Sequence, residues 1–247
     1  MATDRPEVAI LPGFFATQVT FEVKVTNPGS FSLWSLHLVP RPVPLTTPMD
    51  RTVHSIPLLR PKRSRKVVFR LRPEVGQQVV ALDLAVEWED DAGDTRDHTE
   101  VSSKPVDLSC PPLSPPKGGV DRWRASLSGG SAVEVRQRQP TTPPDMLDLM
   151  EETLSGAPGE VSVQREEGSR GPKGRVWVRA EGSRGKRAGL LVDVTPDPKR
   201  GGCRILVTAT ATNEELLAQF YHACLPGLAK AAPGIEDIAP HSLSETG

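Results

Sequence analysis

The sequence predicts an all-β domain of immunoglobulin type followed by an α+β domain, and three observations predict it. Short runs with period-two alternation fill the first part of the chain, a proline-rich joint interrupts them, and two amphipathic helix patterns enter only after that joint. At 247 residues the chain has room for two cores of ordinary size.

The first domain is read over residues 1–109. "VTFEVKVTN" sets Val19, Phe21, Val23 and Val25 on one face, and Asn27, Pro28, Gly29 and Ser30 break that strand. "LWSLHLV" alternates through Leu36 and Leu38, and "KVVFRLR" through Val67, Phe69 and Leu71. "VVALDLAVEWED" places Leu82, Leu84, Val86 and Trp88 in strict alternation. "DDAGD", 90–94, reads as a hairpin turn in which Gly93 is free to take positive φ. Short strands at this spacing describe an antiparallel sandwich of immunoglobulin type, and a barrel would read much the same.

"CPPLSPPKGG", 110–119, carries four prolines, cannot continue a sheet ladder, and reads as a semi-rigid spacer at the domain boundary. The second domain follows over 120–240. "AVEVRQR" reads as a strand. "TTPPDMLDLMEETL" reads as a helix capped by Thr142, with Pro143 in its first position, Asp145 in its first turn, and Met146, Leu147, Met150 and Leu154 on one face. Four further strand patterns lead to "TNEELLAQFYHACL". There Thr212 and Glu215 have capping-box spacing, Leu216, Leu217, Phe220, Tyr221, Cys224 and Leu225 form an apolar stripe, and Pro226 with Gly227 ends or bends the helix. The predicted order is β-α-β-β-β-β-α, an antiparallel sheet with two helices on one face. Residues 241–247 read as a flexible tail.

Composition narrows the function classes. A formal net charge of -1 argues against wholesale binding to a phosphate backbone, so any anion site is local. Three widely spaced cysteines suggest neither a disulfide framework nor a zinc site, and a reducing compartment fits them. The opening residues lack a secretory leader pattern, and no apolar run is long enough to span a bilayer. The expectation is a soluble, cytoplasmic protein whose contact with membranes is at most peripheral. His37, His54, His98, His222 and His241 carry no ligand spacing, Cys203 has no neighbouring histidine to activate it, and the glycine-rich stretches hold no phosphate-binding fingerprint. The carboxylates of "EWEDDAGD" read as a solvated turn rather than a cation site. No enzyme, cofactor or metal is expected.

The segment "DRWRASL" after the proline joint, together with the run "GLLVDVTPD" and "CRILVTATATNEELLAQF", resembles the appendage, or ear, of clathrin-adaptor large subunits and of the coatomer gamma subunit. The resemblance covers nearly the whole chain: a β-sandwich, a hinge, then a platform subdomain opened by an Arg-Trp segment. It implies a non-enzymatic hub for short, often aromatic and acidic, peptide motifs. It places Trp123 at a platform groove, with Arg122 and Arg124 at the rim; the family's basic position falls near Val192, which leaves Arg204 on the last strand as the candidate basic partner. The platform order is also similar to one half of the saddle of the TATA-box-binding protein. A Trp supplies a large rigid contact surface and Arg supplies bidentate carboxylate recognition, which suits such peptides. The alternative is that Trp123 simply packs the platform onto the sandwich. Two positions depart from the family pattern: Val120 stands where the family has an aromatic, and Val192 near a basic position.

Residues 165–187 hold a local excess of five positive charges, with "EGSRG" occurring twice. Arg170, Lys173, Arg184, Lys186 and Arg187 are therefore candidate phosphate contacts, for nucleic acid or an anionic membrane, or else solvated turns that keep sheet edges apart. "RPKRSRKVVFR", 60–70, carries the same two readings, and as a sandwich turn reads as a surface connection. A third reading makes the whole chain a subunit docking into a larger assembly.

Overall fold

The computed structural model describes residues 5–89, 96–117, 123, 125, 127, 129–169 and 171–243, with Arg96 described by its backbone alone. The expected hairpin tip at 90–94, Val120, and the candidate contacts Arg122, Arg124 and Arg170 lie outside these residues. The chain divides into two compact units, Met1–Asp107 and Leu108–Gly247. It is built mostly from antiparallel strands, with two longer helices in the second unit. No helix among the described residues is long and apolar enough to cross a membrane.

Unit one contains two antiparallel sheets. Strands β1 (Glu7–Phe15), β2 (Gln18–Thr26), β3 (Leu33–Val43), β4 (His54–Leu59), β5 (Ser64–Leu71), β6 (Val79–Glu89) and β7 (Arg96–Ser102) order as β1-β2-β5 and as β4-β3-β6-β7. A two-residue strand, β8 (Val106–Asp107), joins β6. Alternation decides what is buried. Val19, Phe21, Val23 and Val25 are fully buried, as are Phe69, Leu71, Leu36, Leu38 and Leu82, while their neighbours in sequence face outward. Strand β3 tolerates Pro40 and Pro42 because its pairing with β4 stops at Leu38 opposite His54. Beyond that point β3 has a free edge, where a missing N–H costs nothing. Pro12 and Gly13 sit in β1, itself an edge strand.

Unit two contains one sheet, ordered β10-β11-β12-β13-β9-β14, from β9 (Ser131–Gln139), β10 (Glu160–Gly168), β11 (Gly171–Glu181), β12 (Arg187–Pro196), β13 (Cys203–Ala211) and the short β14 (His241–Ser242). Helices α1 (Pro143–Leu154) and α2 (Glu214–Ala231) pack on one face, α1 against β10, β11 and β12, and α2 against β9, β12 and β13. The side chains between sheet and helices, among them Val176, Val178, Leu190, Val192 and Val207 of the sheet and Met146, Leu147 and Phe220 of the helices, are essentially inaccessible. Thr142 caps α1 by accepting from the Asp145 N–H.

Four expectations are corrected here. The first residues of the expected flexible tail, His241–Ser242, form β14 against β9. The cap of α2 is Asn213, whose side chain accepts the Leu216 N–H at 2.8 Å. Thr212 is held by the sheet instead, its N–H donating to the Arg187 carbonyl at 3.0 Å. Of the two readings of Pro226, an end or a bend, the end is excluded: α2 runs on to Ala231, burying Leu228 and Ala231. At Gly227 it approaches α1 so closely that a Cβ would stand 2.6 Å from the Thr153 carbonyl oxygen. The proline segment is also more than a spacer: Ser114 exchanges both backbone hydrogen bonds with Glu181 at the end of β11, at 2.9 and 2.8 Å. The prolines around it lack donors, but Ser114 has its own N–H, enough for one bridge.

Candidate functional site: the open face of the second sheet

With α1 and α2 on one face, alternation turns the other set of side chains outward. Register fixes their order across β10, β11, β12, β13 and β9. One row reads Glu160, Arg179, Gly189, Thr210 and Ala132, and another Gln164, Arg175, Asp193, Leu206 and Arg136; beyond it Glu166 pairs with Lys173, and Thr195, Arg204 and Arg138 continue across β12, β13 and β9.

The Gly189 end is capped from within the unit. Trp123 packs with Leu127 and Trp177, each 7% exposed, and with the half-buried Leu191. Gly189 makes this possible: a Cβ there would fall 1.9 Å from Trp123 Cη2, so the indole lies directly on the backbone. The expectation of an accessible indole is thus corrected. Trp123 is a buried lid on its own sheet because Trp177, Leu191 and a bare glycine give it an apolar seat. Its edge borders a cavity of about 840 Å³ lined by Pro112, Leu113, Pro116, Lys117, Glu181 and Arg187. Glu181 is held below the usual carboxylate range, first by the Lys117 backbone N–H and then by Arg187. Alongside, Arg179 is buried and donates to Glu160 at 2.7 Å.

The opposite end is a basic groove. A cavity of about 820 Å³ is lined by Arg136 and Arg138 of β9, Asp193 of β12, Arg204 and Leu206 of β13, and Ile238. A second cavity of about 490 Å³ shares Thr195 and Arg204 with it and adds Lys173 and Lys199. Asp197, itself buried, organises this end: it accepts from Arg204 at 3.0 Å and lies 3.4 Å from Arg138 Nε. Its carboxyl is held low, chiefly by the Arg204 hydrogen bond, then by the Lys199 backbone N–H, against the opposing effect of burial. Arg175 binds Asp193 at 2.7 Å and Arg136 binds Glu134 at 2.6 Å. Each guanidinium is oriented by one carboxylate, and a guanidinium carries five donors in all. Arg138, Arg204 and Arg136 are about half exposed or more. Such an array holds carboxylates or phosphates bidentately.

Trp123 and Arg204 do not share a site. Gly189, under the indole, and Thr195, beside Arg204, are six residues apart on β12, about 20 Å along a strand. The candidate phosphate contacts are likewise separated. Lys173 lies near the start of β11, paired with Glu166 at 3.3 Å. Arg184, Lys186 and Arg187 lie at or beyond its far end, about 30 Å away, where Arg187 pairs with Glu181 at 3.2 Å. One phosphate-binding surface does not form from them. Arg136, Arg138, Leu206 and Ile238 were not among the candidates. The alternation of "SAVEVRQRQ" puts Glu134, Arg136 and Arg138 on one face, but the pairing of β9 with β13 that sets them beside Arg204 joins segments far apart in the chain.

The thiols are not activated: burial pushes Cys110 and Cys203 each up to about 11 and Cys224 further up. The chain matches no protein-family model and no curated protein.

Proposed function

We propose that the chain is a non-enzymatic protein-interaction module of adaptor-appendage kind, an immunoglobulin-like sandwich followed by a platform, that binds short peptide segments or a partner subunit through the platform's open sheet face. On this reading it works in the cytoplasm, at most peripherally at membranes, without a cofactor. The observation that carries it is the asymmetry of the second sheet. One face is sealed by two helices, while the other keeps an uncovered groove in which Arg136, Arg138 and Arg204 flank Leu206 and Ile238. Guanidinium groups around an apolar floor suit a segment with a carboxylate next to an aliphatic or aromatic side chain. Trp123 acts here as the structural lid of the neighbouring half, not as the peptide contact.

The test is a peptide-display selection on the full chain, followed by titration of the recovered peptides. Enrichment of acidic residues beside apolar ones, with at least tenfold weaker binding by Arg204→Ala and Arg136→Ala, supports the reading, since a bound charge-assisted pair contributes about 1.5–3 kcal/mol. Failure to enrich any sequence, or binding indifferent to both substitutions, removes it.

A further inference from the structure

The basic turn of unit one is left unused by that function, and it stands beside exposed aromatic side chains. Strand β2 ends at Thr26 opposite Ser64, where β5 begins, and Leu33 at the start of β3 faces Leu59 at the end of β4. Loop 27–32 and turn 60–63 therefore emerge at the same end of the unit. Asn27, fully buried, ties them together. Its Nδ2 donates to the Phe31 and Leu59 carbonyls at 2.8 and 2.9 Å. Its N–H donates to the Arg63 carbonyl, and its carbonyl accepts from the Lys62 N–H, both at 2.9 Å. Lys62 Nζ also donates to the Pro28 carbonyl.

This frame holds Phe31 62% exposed and Trp34 44% exposed, with Leu58 opposite Trp34. Beside them stand Arg60, Lys62, Arg63 and Arg65, all exposed. Lys66, next in sequence, is neutralised by Glu22 at 2.7 Å. Among the described residues, none of Arg60, Arg63 and Arg65 has an acidic partner. Pro57, Leu58, Arg60, Arg63, Ser64 and Arg65 line a cavity of about 550 Å³.

We propose that this end of unit one docks on an anionic membrane surface, Phe31 and Trp34 entering the headgroup layer while Arg60, Lys62, Arg63 and Arg65 face lipid phosphates and carboxylates. Charge alone would suit any polyanion. The aromatic residues favour the bilayer, because amphipathic rings sit at headgroup depth while basic side chains meet the negative surface potential. Glu89 stands opposite Trp34 on the neighbouring strand β6, about 5 Å away, so one carboxylate borders the aromatic edge of the patch, while the cations follow β4 and open β5. The inference is independent of the peptide groove, which belongs to the other unit.

The test is co-sedimentation of the full chain with phosphatidylcholine vesicles, with and without phosphatidylserine, at low and physiological salt. Binding is expected only with phosphatidylserine and is expected to weaken with salt. Each cation near such a surface contributes about fivefold, so Arg60→Gln, Arg63→Gln and Arg65→Gln together should weaken binding about a hundredfold. The corresponding triple lysine variant should keep it. Phe31→Ser should weaken vesicle binding about tenfold, while leaving binding to heparin, a soluble polyanion, unchanged. Circular dichroism of each variant confirms the unchanged sheet. No phosphatidylserine-dependent binding by the wild type overturns the proposal. So does vesicle binding that Phe31→Ser leaves intact, since that marks the turn as a site for a soluble acidic protein or nucleic acid.

Discussion

Substituting Gly189 with alanine sets a methyl group against the indole of Trp123. A Cβ at that position would lie 1.9 Å from Cη2 and 2.3 Å from Cζ2, so the ring must leave its seat on β12 or the strand must shift. Overpacking of this kind costs about 1–3 kcal/mol. Trp123→Ala by itself should cost about 3–5 kcal/mol, a large share of the stability of an ordinary domain. In that background the obstacle is gone. Alanine, which loses less backbone entropy than glycine, should then stabilise the strand by about 0.5–1 kcal/mol. The sign of Gly189→Ala therefore reverses, and the coupling between the two positions is about 1.5–4 kcal/mol. The assay is urea unfolding of the wild type, both single variants and the double variant, followed by far-ultraviolet circular dichroism. Costs that add to within about 0.5 kcal/mol would mean that the indole does not rest on Gly189, and would refute the assignment of Trp123 as a lid.

Three further outcomes are expected. Asn213→Ala should cost about 1 kcal/mol in urea unfolding, and Thr212→Ala less than half of that, because Asn213 caps α2. Equal costs would return the cap to Thr212. Because Arg204 holds the buried Asp197 carboxyl below its ordinary value, the stabilisation from that pair is present above about pH 4 and lost as pH falls through the lowered value. The difference in urea midpoint between wild type and Asp197→Asn should shrink below about pH 4, and a difference constant with pH would contradict the pairing. At neutral pH, iodoacetamide should label half-buried Cys110 about a hundredfold more slowly than free cysteine, and Cys203 and Cys224 only after unfolding. Mass spectrometry after a short pulse reads this out, and rapid native labelling of Cys203 would contradict its burial.

Much of the architecture was legible wherever one face alone is buried. Val19 to Val25, Leu82 to Trp88 and the α1 stripe of Met146, Leu147, Met150 and Leu154 each show their period in the residues themselves, and burial follows it. Strands β1 and β7 escaped because one is an edge with Pro12 and Gly13 and the other, "RDHTEVS", has a single apolar residue, Val101, and so no alternation to read. Pro226 left two readings open, an end or a bend, and burial excludes the end: Leu225, Leu228 and Ala231 carry α2 past it. The site was less legible, for a different reason. Its residues come from β9, β12, β13 and the segment after α2, and only the order of strands in the sheet unites them. Trp123 stood out by composition, but its exposure depended on Gly189, 66 positions later, having no side chain.

The uncovered basic end of the second sheet is tested most directly by mapping backbone amide shifts of the full chain on titration with a display-selected peptide. Shifts confined to β9, β12 and β13 around Arg136, Arg204 and Leu206, and absent in Arg204→Ala, are the predicted result. Shifts gathered on α1 and α2, or none on β9 and β13, would contradict it.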